Sequence, residues 1–254
     1  MKDFSFQGKI YLGERRAGGR PGILTWVGDA PNCTVTLNTE SEDRTESFSG
    51  QRLQSARLRT SSTAELALTL NYFNADTLAL GLYATVSDVA AGTATDEVLP
   101  AGLVPGSIVA LDNPNVSDLV LVDSAGTPTP LVEGTHYAIE SAQAATLRML
   151  PAIAALTQPI IADSYSYAAG KSAAMFTADP PERYFLMDGI NTITGERVRA
   201  HLYRVQFNPA SSIPLINSSF GQLELSGAAL FDVDAANDAE LGGFGKFELP
   251  AEAA

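Results

Sequence analysis

A chain of 254 residues in which 45% are hydrophobic holds enough apolar material for a packed core, which excludes an intrinsically disordered protein. Only 18% of residues are charged, yet 29 Asp and Glu outweigh 16 Lys and Arg; a net charge of −13 is repelled by a phosphate backbone and argues against a tight nucleic-acid binder. The one cysteine, Cys33, cannot close an internal disulfide, and no window approaches the roughly 18 consecutive apolar residues of a membrane helix.

The charge is unevenly placed. Residues 1–60 carry 9 basic and 7 acidic side chains, residues 61–170 carry 1 and 11, and residues 171–254 carry 6 and 11. A near-neutral first quarter is joined to a strongly acidic middle. The opening Met1–Gly8 lacks the apolar run of a signal peptide, so folding in a cytoplasm is expected.

In chain order, Lys9–Leu12 and Ile23–Val27 are short β-like runs. Between them Arg15-Arg16-Ala17-Gly18-Gly19-Arg20-Pro21-Gly22 lacks the Gly-Lys-Ser/Thr ending of a phosphate loop and reads as a basic surface loop. Cys33, Val35 and Leu37 alternate with polar residues, as do Ala64, Leu66, Leu68, Leu70 and Tyr72, which marks strands with one buried face. The stretch Asn38–Arg52 between them has no core pattern and reads as a long charged loop. A single helix is predicted over about 73–84, with Asn74 as N-cap, Asp76 in the first turn, and Leu78 and Leu82 sharing a face.

Further strands are expected at Ser107–Leu111, Leu119–Val122, Ile160–Ala168, Arg183–Met187, around Val198–Leu202, and at Gln222–Ser226. Leu131–Ile139 reads as strand, Gly134 turn, strand. A helix at Leu147–Leu156 is disfavoured by Pro151. The region of about 96–167 is expected to be β-hairpins elaborating a single domain of residues 1–254, and the tail from Ala251 to be poorly ordered. The fold class is therefore mainly β: a β-sandwich or barrel with one flanking helix and added hairpins.

Little in the chain suggests catalysis. His136 and His201 lack a second His at ligand spacing, and Cys33 sits on a core-like pattern. Asp232–Glu240 departs from a calcium loop, with Ala236 and Asn237 where an oxygen ligand and Gly are needed, and reads as a solvated acidic turn. No nucleophile elbow and no metalloprotease helix occur. We expect no enzyme, no cofactor and no metal. The mixed charges of Asn38–Arg52 instead suit docking on another subunit.

An ordered set of segments carries a resemblance. These are Gly8-Lys9-Ile10-Tyr11-Leu12-Gly13, the long charged loop, and Ala64–Asn74 running into the helix. Then come Glu133-Gly134-Thr135-His136-Tyr137, Ile160–Tyr167, Leu202–Ala210 and Phe220–Gly227. Together they resemble the major tail tube proteins of long-tailed bacteriophages, although the family turn more often reads Gly-Thr-Asp-Tyr than this chain's version with His136.

The resemblance implies a structural virion protein, assembled in the bacterial cytoplasm, whose copies close hexameric rings that stack into the tail tube. It implies that the loop reaches the adjacent ring, which marks Glu40, Glu42, Asp43, Arg44, Glu46, Phe48 and Arg52 as inter-subunit residues, with Arg15, Arg16 and Arg20 facing acidic loops of the neighbour. The implied partners are further copies of the chain, the tape measure, tail terminator and distal tail proteins, and double-stranded DNA passing without tight binding; no membrane anchor is implied. The inner tube or tail-terminating ring of a contractile injection system fits the same segments. A β-sandwich carbohydrate-binding or adhesive module is a third reading, against which stands the single Trp26.

Overall fold

A computed structural model describes residues 3–250; the expectation for the tail from Ala251 lies outside them. The chain is mainly β, with antiparallel sheets and one helix longer than a single turn. It divides into two compact units, one from the first 86 residues and the stretch from Ala173 onward, the other from Ser87–Ser172. The hairpin region expected at about 96–167 lies within the second unit, which is wider and has a core of its own.

The first unit begins with β1 (Phe6–Arg16), β2 (Arg20–Trp26), β3 (Asn32–Thr45), β4 (Gln54–Leu70) and α1 (Ala75–Leu82). β5 (Thr85–Val89) leads into the insertion, which holds β6 (Gly92–Val98), β7 (Ile108–Ala110), β8 (Val116–Val122), β9 (Tyr137–Ser141), β10 (Thr146–Met149) and β11 (Ile161–Tyr167), and β12 (Gly170–Ala174) leads out of it. The chain passes out along β5 and back along β12, which pair with each other. The first unit resumes with β13 (Glu182–Asn191), β14 (Arg197–Phe207), β15 (Leu223–Ala229), the one-turn α2 (Val233–Ala236) and β16 (Gly245–Glu248).

One eight-stranded antiparallel sheet organises the first unit, in the order β2-β1-β13-β14-β15-β4-β3, with β16 beside β14. The expected alternation explains its main core. Ile10 and Leu12 of β1, Phe185 of β13, Leu202, Val205 and Phe207 of β14, Leu223 and Leu225 of β15, and Leu66, Leu68 and Leu70 of β4 bury one face in a single cluster. β1 and β4 are four steps apart in the sheet, so sharing a cluster requires the sheet to coil over itself. Burial of each large apolar side chain contributes about 1.5–3 kcal/mol.

The opposite face is also buried at the centre, where Tyr184, Leu186, Tyr203 and Ala235 pack with Tyr11, Leu24 and Leu241. This is why Tyr184-Phe185-Leu186 is an unbroken apolar run: β13 is covered on both sides. At the edge strand β3 the alternation fails. Cys33 is half-buried, while Val35 and Leu37, on the same face, are exposed, as is Tyr72 beyond the end of β4.

α1 is capped as its sequence dictates. The Asn74 side chain accepts from Thr77 N at 2.8 Å, and Thr77 Oγ1 accepts from Asn74 N at 2.9 Å, a reciprocal capping box. Its buried face is not the expected Leu78–Leu82 stripe. Thr77, Leu80 and Gly81 are buried, and Leu78 and Leu82 only half-buried. Gly81 decides this: a Cβ there would stand 3.3 Å from both Ala210 Cβ and Leu225 Cδ2, so the missing side chain lets the helix lie on β15.

The expected loop Asn38–Arg52 is largely strand. β3 runs to Thr45 and β4 starts at Gln54, paired from Asn32↔Thr69 to Thr45↔Gln54 with shifts after Glu40 and Arg44. Only 46–53 turns the chain. The stretch lacks a core pattern because both faces of this hairpin arm are wet: its register is set by backbone pairing and not by burial.

In the inserted unit, three-stranded sheets β6-β11-β8 and β7-β10-β9 share a core that includes Val109, Leu121, Tyr137, Leu147, Ile160 and Tyr165. The expected Leu131–Ile139 hairpin is corrected: Tyr137–Ser141 pairs with Thr146–Met149 instead, and Leu131–Glu133 contributes only the single bridge Glu133↔Tyr137 beside a Gly134 turn. Pro151 opens a short 3-10 turn, Pro151–Ala155, in place of a helix. Among the described residues no helix is long and apolar enough to cross a membrane.

Candidate assembly interface

The sheet of the first unit ends in two uncovered edges, β2 and β3. An edge strand presents unpaired N–H and C=O groups, and a long one is a template for another chain. β3 is 14 residues long, and its core-facing row continues outward as exposed Val35 and Leu37. At the other edge Ile23 is 84% exposed and Trp26 half-exposed, beside a groove of about 480 Å³ against α1 lined by Leu12, Thr25, Leu80, Tyr83 and Ala84. Both edges therefore carry apolar side chains that are exposed among the described residues.

The face of β3-β4-β15 turned away from the core is small, polar and acidic. Thr34, Thr36, Glu65, Ala67, Glu224 and Ser226 stand on it, and none of these is basic.

Of the expected inter-subunit residues, Glu40, Glu42, Asp43 and Arg44 lie on the β3 half of the arm, where Asp43 pairs with Arg57 at 3.3 Å and Glu40 accepts from Ser61 Oγ at 3.0 Å. The turn is built around Glu46. Its carboxylate accepts from Phe48 N at 2.8 Å, Ser49 N at 2.9 Å, Leu53 N at 3.2 Å and the Ser49 hydroxyl. These hydrogen bonds, led by the Ser49 hydroxyl, hold the Glu46 carboxyl down at about 2. The turn thereby presents Phe48, 90% exposed, at the tip, and Arg52 with φ 53° turns the chain back.

The basic group separates into two kinds. Arg15 is not available to a neighbour: its Nε and Nη2 donate to Asp232 Oδ2 at 2.9 Å and Oδ1 at 3.1 Å. Asp232 is fully buried, caps α2 by accepting from Asp234 N and Ala235 N, and is held below the usual carboxylate range chiefly by Arg15. The expected solvated acidic turn is thus anchored to β1. A second bidentate pair, Arg204 with Glu182, bonds at 2.9 and 2.6 Å. Arg16 and Arg20 face each other across the β1–β2 hairpin, exposed and without an ion-pair partner among the described residues.

Several features carry no signal in the sequence. His201 is buried between Tyr184, whose hydroxyl lies 2.6 Å from Nδ1, and Glu248, whose Oε2 lies 3.2 Å from Nε2. Glu248 also meets Lys246 at 2.5 Å and Arg199 at 3.6 Å. Burial lowers the His201 pKa and pushes the Tyr184 hydroxyl up to about 12, so the latter is no nucleophile at neutral pH. Burial likewise raises the Cys33 thiol to about 11. Leu215, Ile216 and Phe220 are almost fully exposed in the irregular connection before β15. Among the described residues no group of three His, Cys, Asp or Glu could hold a metal ion.

No curated protein matches the chain. A family model does, over residues 3–248 and so across both units and both open edges, and the chain belongs to that family, described as protein of unknown function UCP028589.

Proposed function

We propose that the protein is a structural, non-catalytic subunit of a phage-type tail tube, in which copies join edge to edge into rings and the rings stack into a conduit for DNA. The observation that carries this is the pair of uncovered sheet edges at opposite ends of one strand order, each with apolar side chains left in water. Because β2 and β3 are different surfaces, joining one to the other is a heterologous contact. Such contacts close into a ring when the rotation allows, and stacking then extends without limit. Pairing also removes the edge that would otherwise promote aggregation.

The acidic, small-residue face of β3-β4-β15 supplies a wall past which DNA slides without gripping, with Glu65 and Glu224 facing the lumen. In this reading the subunit belongs to the virion tail, and its other partners are tail proteins that sit inside the tube or close its ends.

Negative-stain micrographs of the purified protein over a concentration series test the proposal. Long bare tubes are the expected result. Discrete rings that never stack would point to a tail-terminating ring instead, and a monomer at every concentration would overturn the proposal.

A further inference from the structure

The hairpin arm and an apolar cleft lie at the same end of the sheet. Phe6 pairs with Asn191 and Ile190 with Arg197, so one end of the sheet holds the start of β1, the end of β13 and the start of β14. Glu248 of β16 joins them opposite Arg199. Further along the ladder Val205 faces Ala229 and Ala229 faces Ala64, and from Ala64 the strand β4 runs on to Gln54. Going from Val205 toward Arg197 is therefore the same direction as going from Ala64 toward the arm's tip.

The cleft at that end measures about 260 Å³ and is lined by Phe4, Phe6, Val198, Phe247 and Leu249. Phe4, Phe247 and Leu249 are each more than half exposed. Asp3 and Glu196 form an acidic rim. The arm's tip has the opposite character. The carboxylate of Glu46 is taken up by its own turn, while Arg44 and Arg52 have no ion-pair partner among the described residues. Phe48 lies in the turn that separates them in sequence, its side chain almost wholly exposed. From Asn38 to Thr45 the arm extends about 25 Å, enough to reach another molecule.

We propose that Phe48 seats in the Phe4–Phe6–Val198–Phe247–Leu249 cleft of the neighbouring copy in the same ring, with Arg44 and Arg52 toward the Asp3 side of its rim. The proposal rests on the ring reading. Edge-to-edge pairing displaces neighbours across the strands and keeps like ends level, so tip meets cleft laterally. A copy in a stacked ring presents its other end, where Arg16 and Arg20 flank the β1–β2 turn. The tip is thus a clasp within a ring, where the resemblance alone implied contact with the adjacent ring. The arm can only perform this if its aromatic is pre-positioned, which the hydrogen-bonded turn provides.

Two variants in a Cys33→Ala background test it, one carrying Phe48→Cys and the other Phe247→Cys. Oxidising the mixture should give a two-chain disulfide product that neither variant forms alone, because the bond needs close, aligned side chains. Phe48→Asp should raise the concentration needed for ring formation by at least about tenfold, while Phe48→Leu retains assembly and both leave thermal unfolding unchanged. A disulfide that forms in stacked tubes but not in isolated rings would overturn the clasp. So would its absence while micrographs show rings, or a Phe247→Cys thiol that resists alkylation in the monomer because the chain's own ends fill the cleft. If the wild-type protein forms no rings, the clasp falls with the ring reading, and the micrographs tell the two failures apart.

Discussion

Arg15, Arg16 and Arg20 sit within six positions of one another, and the structure gives them opposite roles. Arg15 forms a forked pair with a carboxylate 217 positions away that is sealed from water, so truncating it strands a buried charge. Hydrogen bonds to charged groups contribute about 1.5–3 kcal/mol each, and Arg15→Ala should destabilise the first unit by at least that much in urea unfolding. Arg16→Ala and Arg20→Ala should stay within about 0.5 kcal/mol of wild type. Nothing in the sequence separates the three, because the distinguishing fact is a partner at the far end of the chain. Acid should expose the same chemistry. Asp232, Glu182 and Glu248 titrate below their ordinary range when folded, so the unfolded chain takes up protons first and stability falls as pH drops below about 4. His201 is shifted down too, so loss begins as pH falls through the ordinary histidine value of 6.5. With only two histidines, NMR can follow His201 directly; a titration at or above 6.5 would contradict this.

Among the elements, α1 was the most legible and the hairpin arm the least, for one physical reason. The helix carries its own start signal, Asn74 with Thr77 three residues on, and that signal is local. Which face it buries is not local: Gly81 matters only because Leu225 and Ala210 lie against it. Gly81→Leu should therefore cost about 1–3 kcal/mol by overpacking even though leucine favours helices, a shift readable by thermal unfolding. The arm has no buried face, so period-two hydrophobicity is missing over a segment that is nevertheless strand. Deleting Thr39–Gly50 should leave the first unit folded, since no residue of that stretch belongs to its core, yet abolish tubes in micrographs. Tubes of normal length from the deleted protein would contradict the role given to the arm.

At the scale of the whole molecule, composition indicated a core and alternation a β protein, but neither showed that there are two cores. The boundary at Ser87–Ser172 has no Gly/Ser linker to announce it, because a paired strand on each side does the joining. Excised residues 87–172 should fold alone, and calorimetry of the intact chain should resolve two transitions. A single transition with no stable excised unit would refute this. Charge at this scale predicts conduct toward DNA: tubes of the wild type should not retain it, whereas Glu65→Lys with Glu224→Lys should retain DNA in low salt and release it as salt rises.

The nesting of one unit inside the other also sets an order of events in time. β1 finds its partner β13 only after the entire insertion has been made, since Phe6 pairs with Asn191. During synthesis the β1–β2 and β3–β4 hairpins and the sheets of the insertion can form first, while β1 still waits for β13 and β4 for β15. At about 5–20 residues per second the wait of β1 for β13 lasts on the order of 10–35 s. A nascent subunit therefore exposes the apolar rows of β1 and β4 before it has a finished edge to offer, and ring formation is deferred until the last strands are in place.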